Sequence, residues 1–192
     1  MAASKTRGRR ARGASQSGPK PAAKLFVRAL SRASRQGRLQ FGQFDVPCAL
    51  GFGGIRVLKR EGDGATPTGR FAVRYALYRP DVRRPRTALD VYPIHPNDGW
   101  CDSPLDRNYN RPVKLPYPAS AERLWRSDRL YDVVLVLGYN DAPRLRNRGS
   151  AIFVHIARGD LKPTEGCIAL RRTDLRRLLS VLPRGCEVIV SI

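Results

Sequence analysis

The chain has 192 residues, 42% of them hydrophobic, with 36 Lys or Arg against 16 Asp or Glu and a formal net charge of +20. That length suits one domain plus a tail and can bury a core without disulfide staples. No run approaches the ~20 apolar residues of a membrane helix, and no apolar run of ~7–15 residues marks a secretory signal near the start. No integral membrane segment is therefore expected, and the direct reading of the location is cytoplasmic.

Residues 1–24 hold Lys5, Arg7, Arg9, Arg10, Arg12, Lys20 and Lys24, with no acid and no aromatic residue. Their Ala, Gly, Ser and Pro content predicts a disordered basic tail. The remainder is also basic, so the whole chain attracts polyanions such as nucleic acid, anionic membrane or anionic wall polymer. For the tail, this means non-specific polyanion contact.

The folded part is expected from Leu25. Leu25-Phe26-Val27 and Leu39-Gln40-Phe41 read as strands around a turn at Gly37. Phe44 to Leu50 is a further strand, closed by Gly51 and the Gly53-Gly54 pair. Aromatic and β-branched residues predict a longer strand over Phe71 to Tyr78, and Leu89 to His95 alternates as a strand does. Residues 96–120 read as one long connection, of the length that is usually functional. Loops carry function more often than cores, so Asp98, Trp100 and Asn110 are candidate substrate contacts. His95 reads as a strand-end surface residue.

Ala119 to Arg126 is predicted helical, with Ser120 as N-cap. Val133 to Leu137 reads as a strand buried on both faces, and Ala151 to Ile156 as another strand. Thr173 is expected to cap a helix over Asp174 to Leu182, with Leu175, Leu178, Leu179 and Leu182 on one face. Cys186 to Val190 is the last strand. The pattern is mainly β, one domain with two or three short helices and no internal repeat.

The chemistry concentrates in Thr164-Glu165-Gly166-Cys167-Ile168, with His155 placed 12 residues before Cys167 in a chain of two histidines and four cysteines. A thiol needs a base or cationic neighbour to act as a thiolate. Pairing with His155 would hold it below the ~8.5 of a free cysteine. Gly166 permits a sharp turn, and its N–H can point at a developing oxyanion. Cys48, Cys101 and Cys186 read as buried thiols. His95, Cys101, His155 and Cys167 are of zinc-ligand type but lack the short ligand spacings, so no metal is expected.

These residues resemble the L,D-transpeptidase catalytic domain, also called the YkuD domain. His155 and Thr164 to Leu170 match its C-terminal signature, and Thr66-Pro67-Thr68-Gly69-Arg70-Phe71 matches its Thr-Pro-x-Gly-x-Phe element in full. The resemblance covers residues 25–192 and implies a single YkuD-like β-sandwich domain. Two positions depart from the family pattern. Ile156 follows the histidine where Gly is usual, and Ala169 stands where Arg usually follows the cysteine, with Arg171 or Arg172 the candidate substitute.

The resemblance implies attack by Cys167 on an amide of a peptidoglycan stem peptide, with His155 as base and the Gly166 and Cys167 N–H groups as oxyanion donors. A thioester forms and D-alanine leaves. An amine acceptor then gives a 3→3 crosslink, and water gives L,D-carboxypeptidase hydrolysis. Muropeptides are the implied partners, no cofactor is needed, and the family's usual setting is the periplasm or cell envelope. The competing reading is a basic domain that binds nucleic acid or wall polymer without catalysis.

Overall fold

A computed structural model of the chain describes residues 22–192. The predicted tail lies outside the described residues except for its last three. There the chain is already ordered: the Ala23 carbonyl accepts from Glu187 N–H at 2.9 Å, and Lys24 opens the first strand.

The strands follow in chain order as β1 (Lys24–Ala29), β2 (Gln36–Phe41), β3 (Phe44–Ala49), β4 (Ile55–Arg56), β5 (Thr66–Pro67), β6 (Gly69–Tyr78) and β7 (Val91–Pro93). Then come β8 (Asp98–Cys101), β9 (Pro112–Lys114), β10 (Ala121–Arg123), β11 (Val133–Leu137), β12 (Phe153–Ile156) and β13 (Ile168–Leu170). Helix α1 (Arg172–Val181) and strand β14 (Glu187–Ser191) complete the fold, and a short 3-10 turn spans Gly159–Leu161.

The main sheet runs β11-β12-β13-β3-β2-β1-β14-β6-β7, and β11 also pairs with β6. The sheet is therefore folded over and closed on itself, which is how the sandwich expectation is realised. Closure leaves β11 and β12 without a free edge. Alternation fixes which residues point inward. Leu25, Val27, Leu39, Leu135, Val154, Ile168 and Leu170 form the inner core, and Leu175, Leu178 and Leu179 of α1 join it.

The outer face of β11 and β12 is buried as well. Val134, Val136 and Phe153 pack there against Ile94, Trp100, Leu124 and Tyr131. The cover is a separate sheet in the order β10-β8-β9. With both faces covered, every residue of β11 is buried, as its unbroken apolar run requires.

That cover corrects two expectations. Residues 96–120 are not one open connection, since they contain β8 and β9. Ala119 to Arg126 is not helical, since Ala121, Glu122 and Arg123 pair with Cys101, Trp100 and Gly99. Eight residues offer too few helical hydrogen bonds to outweigh a full ladder against β8. Gly37 is likewise inside β2 rather than at a turn. It pairs with Ala29 and Cys48, and a Cβ there would stand 2.4 Å from the Arg28 carbonyl oxygen. Helix α1 begins at Arg172 with no side-chain cap bond, so Thr173 does not cap it. Among the described residues α1 is the one α-helix.

Asp132, fully buried just before β11, ties three parts of the fold together. Its carboxylate lies 2.8 Å from Arg172 of α1, 3.1 Å from Arg129 and 3.7 Å from Arg79. Its carbonyl accepts from Arg79 N–H at 3.0 Å. Removing the carboxylate leaves Arg172 without its partner and leaves Arg79 and Arg129 with Asp81 alone. Asp132→Ala is expected to lower the unfolding free energy by about 3 kcal/mol, read as a fall in the urea midpoint at unchanged slope.

Candidate active site

Strands β12 and β13 are parallel neighbours, with Val154 opposite Ile168 and His155 opposite Ala169. Cys167 therefore enters β13 beside Phe153. Side chains alternate along a strand, so Phe153, His155, Cys167 and Ala169 share the outer face. That face is the one under the β8–β10 cover. His155, Cys167 and Ala169 line a single cavity there of about 430 Å³, walled also by Tyr131 and Glu122.

His155 Nδ1 lies 2.9 Å from the Ile156 carbonyl oxygen. A carbonyl only accepts, so Nδ1 carries the proton and the neutral ring keeps its lone pair on Nε2. Tyr131 packs edge-on against the imidazole at 5.1 Å. Burial pushes the imidazole down to about 4, with Arg126 and Arg158 adding to the effect and the Ile156 contact opposing it.

The Cys167 thiol is held between two backbone groups. It donates to the Ala151 carbonyl at 3.1 Å and accepts from Phe153 N–H at 3.3 Å. Burial pushes the thiol up to about 12, and the Glu122 charge adds to this, while Phe153 N–H and Lys59 act in the opposite sense. The expectation of a thiol depressed below ~8.5 is thus corrected. The resting site holds a neutral thiol and a neutral imidazole, because the β8–β10 cover removes the water that would stabilise either charge.

The loop before Cys167 is built by a chain of backbone contacts. Thr66 Oγ1 accepts from Gly51 N–H at 2.8 Å. The flanking residues of Gly51 then bracket Thr164: Phe52 N–H donates to its carbonyl at 2.8 Å, and its N–H donates to Leu50 O at 2.9 Å. Thr164 Oγ1 donates to the Cys167 carbonyl at 2.6 Å and accepts from Gly166 N–H at 3.1 Å. The Gly166 N–H, expected to meet an oxyanion, is thus already donated to Thr164 Oγ1. Gly166 adopts φ +127°, and a Cβ there would stand 2.7 Å from the Ala65 carbonyl oxygen, so the position demands glycine.

Of the residues singled out in the sequence, the structure brings together Cys167, His155 and Gly166. Asp98 is bonded to Lys114 at 2.5 Å and to His95 N–H at 2.7 Å, and it lines a different cavity together with Trp100. Trp100 is buried against Phe153. Asn110 is buried and fully engaged. Its Oδ1 accepts from Trp100 Nε1 at 2.9 Å and Ala151 N–H at 3.1 Å, and its Nδ2 donates to the carbonyls of Tyr139 and Asn140. It fixes Ala151, whose carbonyl holds the thiol. Arg171 lines a third cavity, apart from Cys167. Arg172 lines that cavity too and is paired with Asp132 at 2.8 Å.

Sequence reasoning missed Tyr131, Glu122 and Lys59. Tyr131 donates to Glu122 at 2.7 Å, and burial raises the Glu122 carboxyl. Glu122 was hidden by the helix expected over its segment. Lys59 is buried on Asp63 at 2.7 Å, behind Gly166. Its only sequence signal was a lysine four residues before an aspartate.

The geometry agrees with a family comparison. The model of the L,D-transpeptidase catalytic domain (YkuD) matches residues 31–190. The chain belongs to this family. Its mainly β architecture is the YkuD-like fold. Two solved L,D-transpeptidases are similar to it. L,D-transpeptidase 1 of Mycobacterium tuberculosis is 11% identical over 88% of this chain and 63% of its own, with a TM-score of 0.38. An L,D-transpeptidase from Mycobacterium smegmatis is 14% identical over 88% of this chain and 59% of its own, with a TM-score of 0.42. The chain thus spans less than two thirds of either structure. No curated protein matches it.

The raised thiol sets a measurable profile. Iodoacetamide labelling of Cys167, followed by peptide mass spectrometry, is expected to be slow at neutral pH and to climb well above the ~8.5 of a free cysteine. A curve that levels off below that value contradicts the burial argument. The imidazole has the opposite pattern. Its depressed value adds stability that is complete above about 6.5 and drains as pH falls towards about 4. His155→Gln should flatten that part of the stability–pH curve.

Proposed function

We propose that the protein is a cysteine acyl-transfer enzyme of the L,D-transpeptidase family that acts on peptidoglycan stem peptides. The observation that carries this reading is the placement of Cys167 and His155 on one face of adjacent parallel strands, in one cavity, with the imidazole tautomer set by Ile156.

Cys167 Sγ attacks the carbonyl carbon of the diaminopimelate residue, in its amide bond to D-alanine. The thiol proton leaves the Ala151 carbonyl for His155 Nε2 as the S–C bond forms. A neutral base that accepts the proton during attack suits a site where neither charge is stable beforehand. Cys167 N–H supports the oxyanion. His155 then returns the proton to the departing amine of D-alanine and leaves a thioester on Cys167. A second amine on the thioester gives a 3→3 crosslink, and water gives a tripeptide.

Two exposed cations on the cavity wall, Arg158 and Lys162, are the groups proposed to meet stem-peptide carboxylates. They stand in for the arginine absent at Ala169. No cofactor enters the scheme.

The test is incubation with a purified disaccharide tetrapeptide and product analysis by mass spectrometry. Loss of one D-alanine gives hydrolysis, and a dimer gives transpeptidation. Cys167→Ala should abolish both by far more than ~100-fold with circular dichroism unchanged. Turnover retained in that variant sinks the assignment.

A further inference from the structure

Two loops run from the rim of the cavity and carry aliphatic side chains outward. Residues 56–60 lead into Glu61 and Gly62, and residues 141–149 lead into Ser150 and Ala151; these four residues line the cavity. Val57 is 77% exposed, Leu58 70% and Leu145 53%. All three border one shallow surface depression. Single exposed aliphatics are ordinary, but three converging from separate loops call for an explanation.

Their exposure is imposed by the fold. Leu145 N–H donates to Asn140 Oδ1 at 2.7 Å, and its carbonyl accepts from Asn140 Nδ2 at 2.9 Å, so the turn presents the side chain outward. Lys59 turns inward onto Asp63, which leaves Val57 and Leu58 outside. Glu61 N–H donates to the Asn147 carbonyl at 3.2 Å and ties the two loops together.

The surround is cationic. Arg56, Arg60, Arg146 and Arg148 are exposed, and none of these four forms an ion pair among the described residues, whereas Arg144 Nε donates to the Asn110 carbonyl at 3.3 Å. The nearby acids are already engaged: Asp63 by Lys59, Asp141 by Arg74, and Glu61 by the Tyr109 hydroxyl.

We propose that this surface docks on an anionic lipid bilayer. Val57, Leu58 and Leu145 enter the boundary between headgroups and acyl chains, and the arginines meet lipid phosphates. Exposed aliphatics ringed by unpaired cations are the chemistry of interfacial attachment. A single-stranded nucleic acid site would add stacking aromatics to its cations. The one aromatic in the depression, Tyr139, is occupied edge-on by Phe71 at 5.4 Å. No helix of the described residues is long and apolar enough to cross a membrane, so the contact is with the surface. It would set the cavity rim beside the bilayer.

The experiment is flotation of the full chain with vesicles of phosphatidylcholine alone or mixed with phosphatidylglycerol. The protein should float with the mixed vesicles and not with phosphatidylcholine alone. The triple variant Val57→Ser, Leu58→Ser, Leu145→Ser retains every charge, including those of the N-terminal segment. It should lose about tenfold or more of its affinity while its elution from heparin and its circular dichroism stay unchanged. Leu145→Ser alone should give a smaller loss of the same kind. Equal flotation of the triple variant and the parent overturns the proposal, because simple charge attraction then suffices. So does a failure of the parent to float. Loss of single-stranded oligonucleotide binding in the triple variant, with flotation retained, would assign the surface to nucleic acid instead.

Discussion

Burial of the outer face of β11 and β12 is the constraint on which the remainder depends. The strands already bury their inner face in the closed sheet. Their outer face carries Val134, Val136 and Phe153, which need a second cover. The β10-β8-β9 sheet supplies it through Trp100, with Leu124 just beyond β10. A site placed on that same face is shielded from water by the packing that stabilises the strands. Hydrophobic burial and the electrostatics of the Cys167–His155 pair therefore share one cause.

The consequence is a Cys167–His155 pair that carries no charge at rest. Desolvation raises the thiol and lowers the imidazole. The fold responds with geometry instead: Ala151 and Phe153 fix the sulfur, and Ile156 fixes the tautomer of the ring. Such a pair suits proton transfer coupled to attack, since a preformed ion pair would be costly under the cover. Asn110 serves the same end from a distance. It holds Ala151 N–H, and the Ala151 carbonyl holds the thiol.

The two sequence elements that suggested the family are almost a hundred residues apart. They meet because Gly51 and Thr164 pair as an isolated bridge, with Thr66 fastening Gly51 from behind. Thr66 does not face the cavity. Its part is to brace the loop in which Gly166 takes its left-handed conformation and Cys167 turns inward.

The sequence by itself determined the mainly β class, most of the long strands, the leucine face of α1, and the Cys167–His155 pair. These are local signals: alternation, helical spacing, and residue types rare in the chain. It also marked Asp98, Trp100 and Asn110 as special, but as substrate contacts. Only the tertiary structure decided that Trp100 is packing, that Asn110 is a brace and that Asp98 lies elsewhere, since burial and hydrogen-bond partners arise from distant segments. The short cover strands were illegible for the same reason. A three-residue strand such as β10 has little propensity of its own and exists because β8 offers a ladder. The protonation state of the site was the least legible feature of all. It is set by how much water the cover excludes, and no residue spacing encodes that.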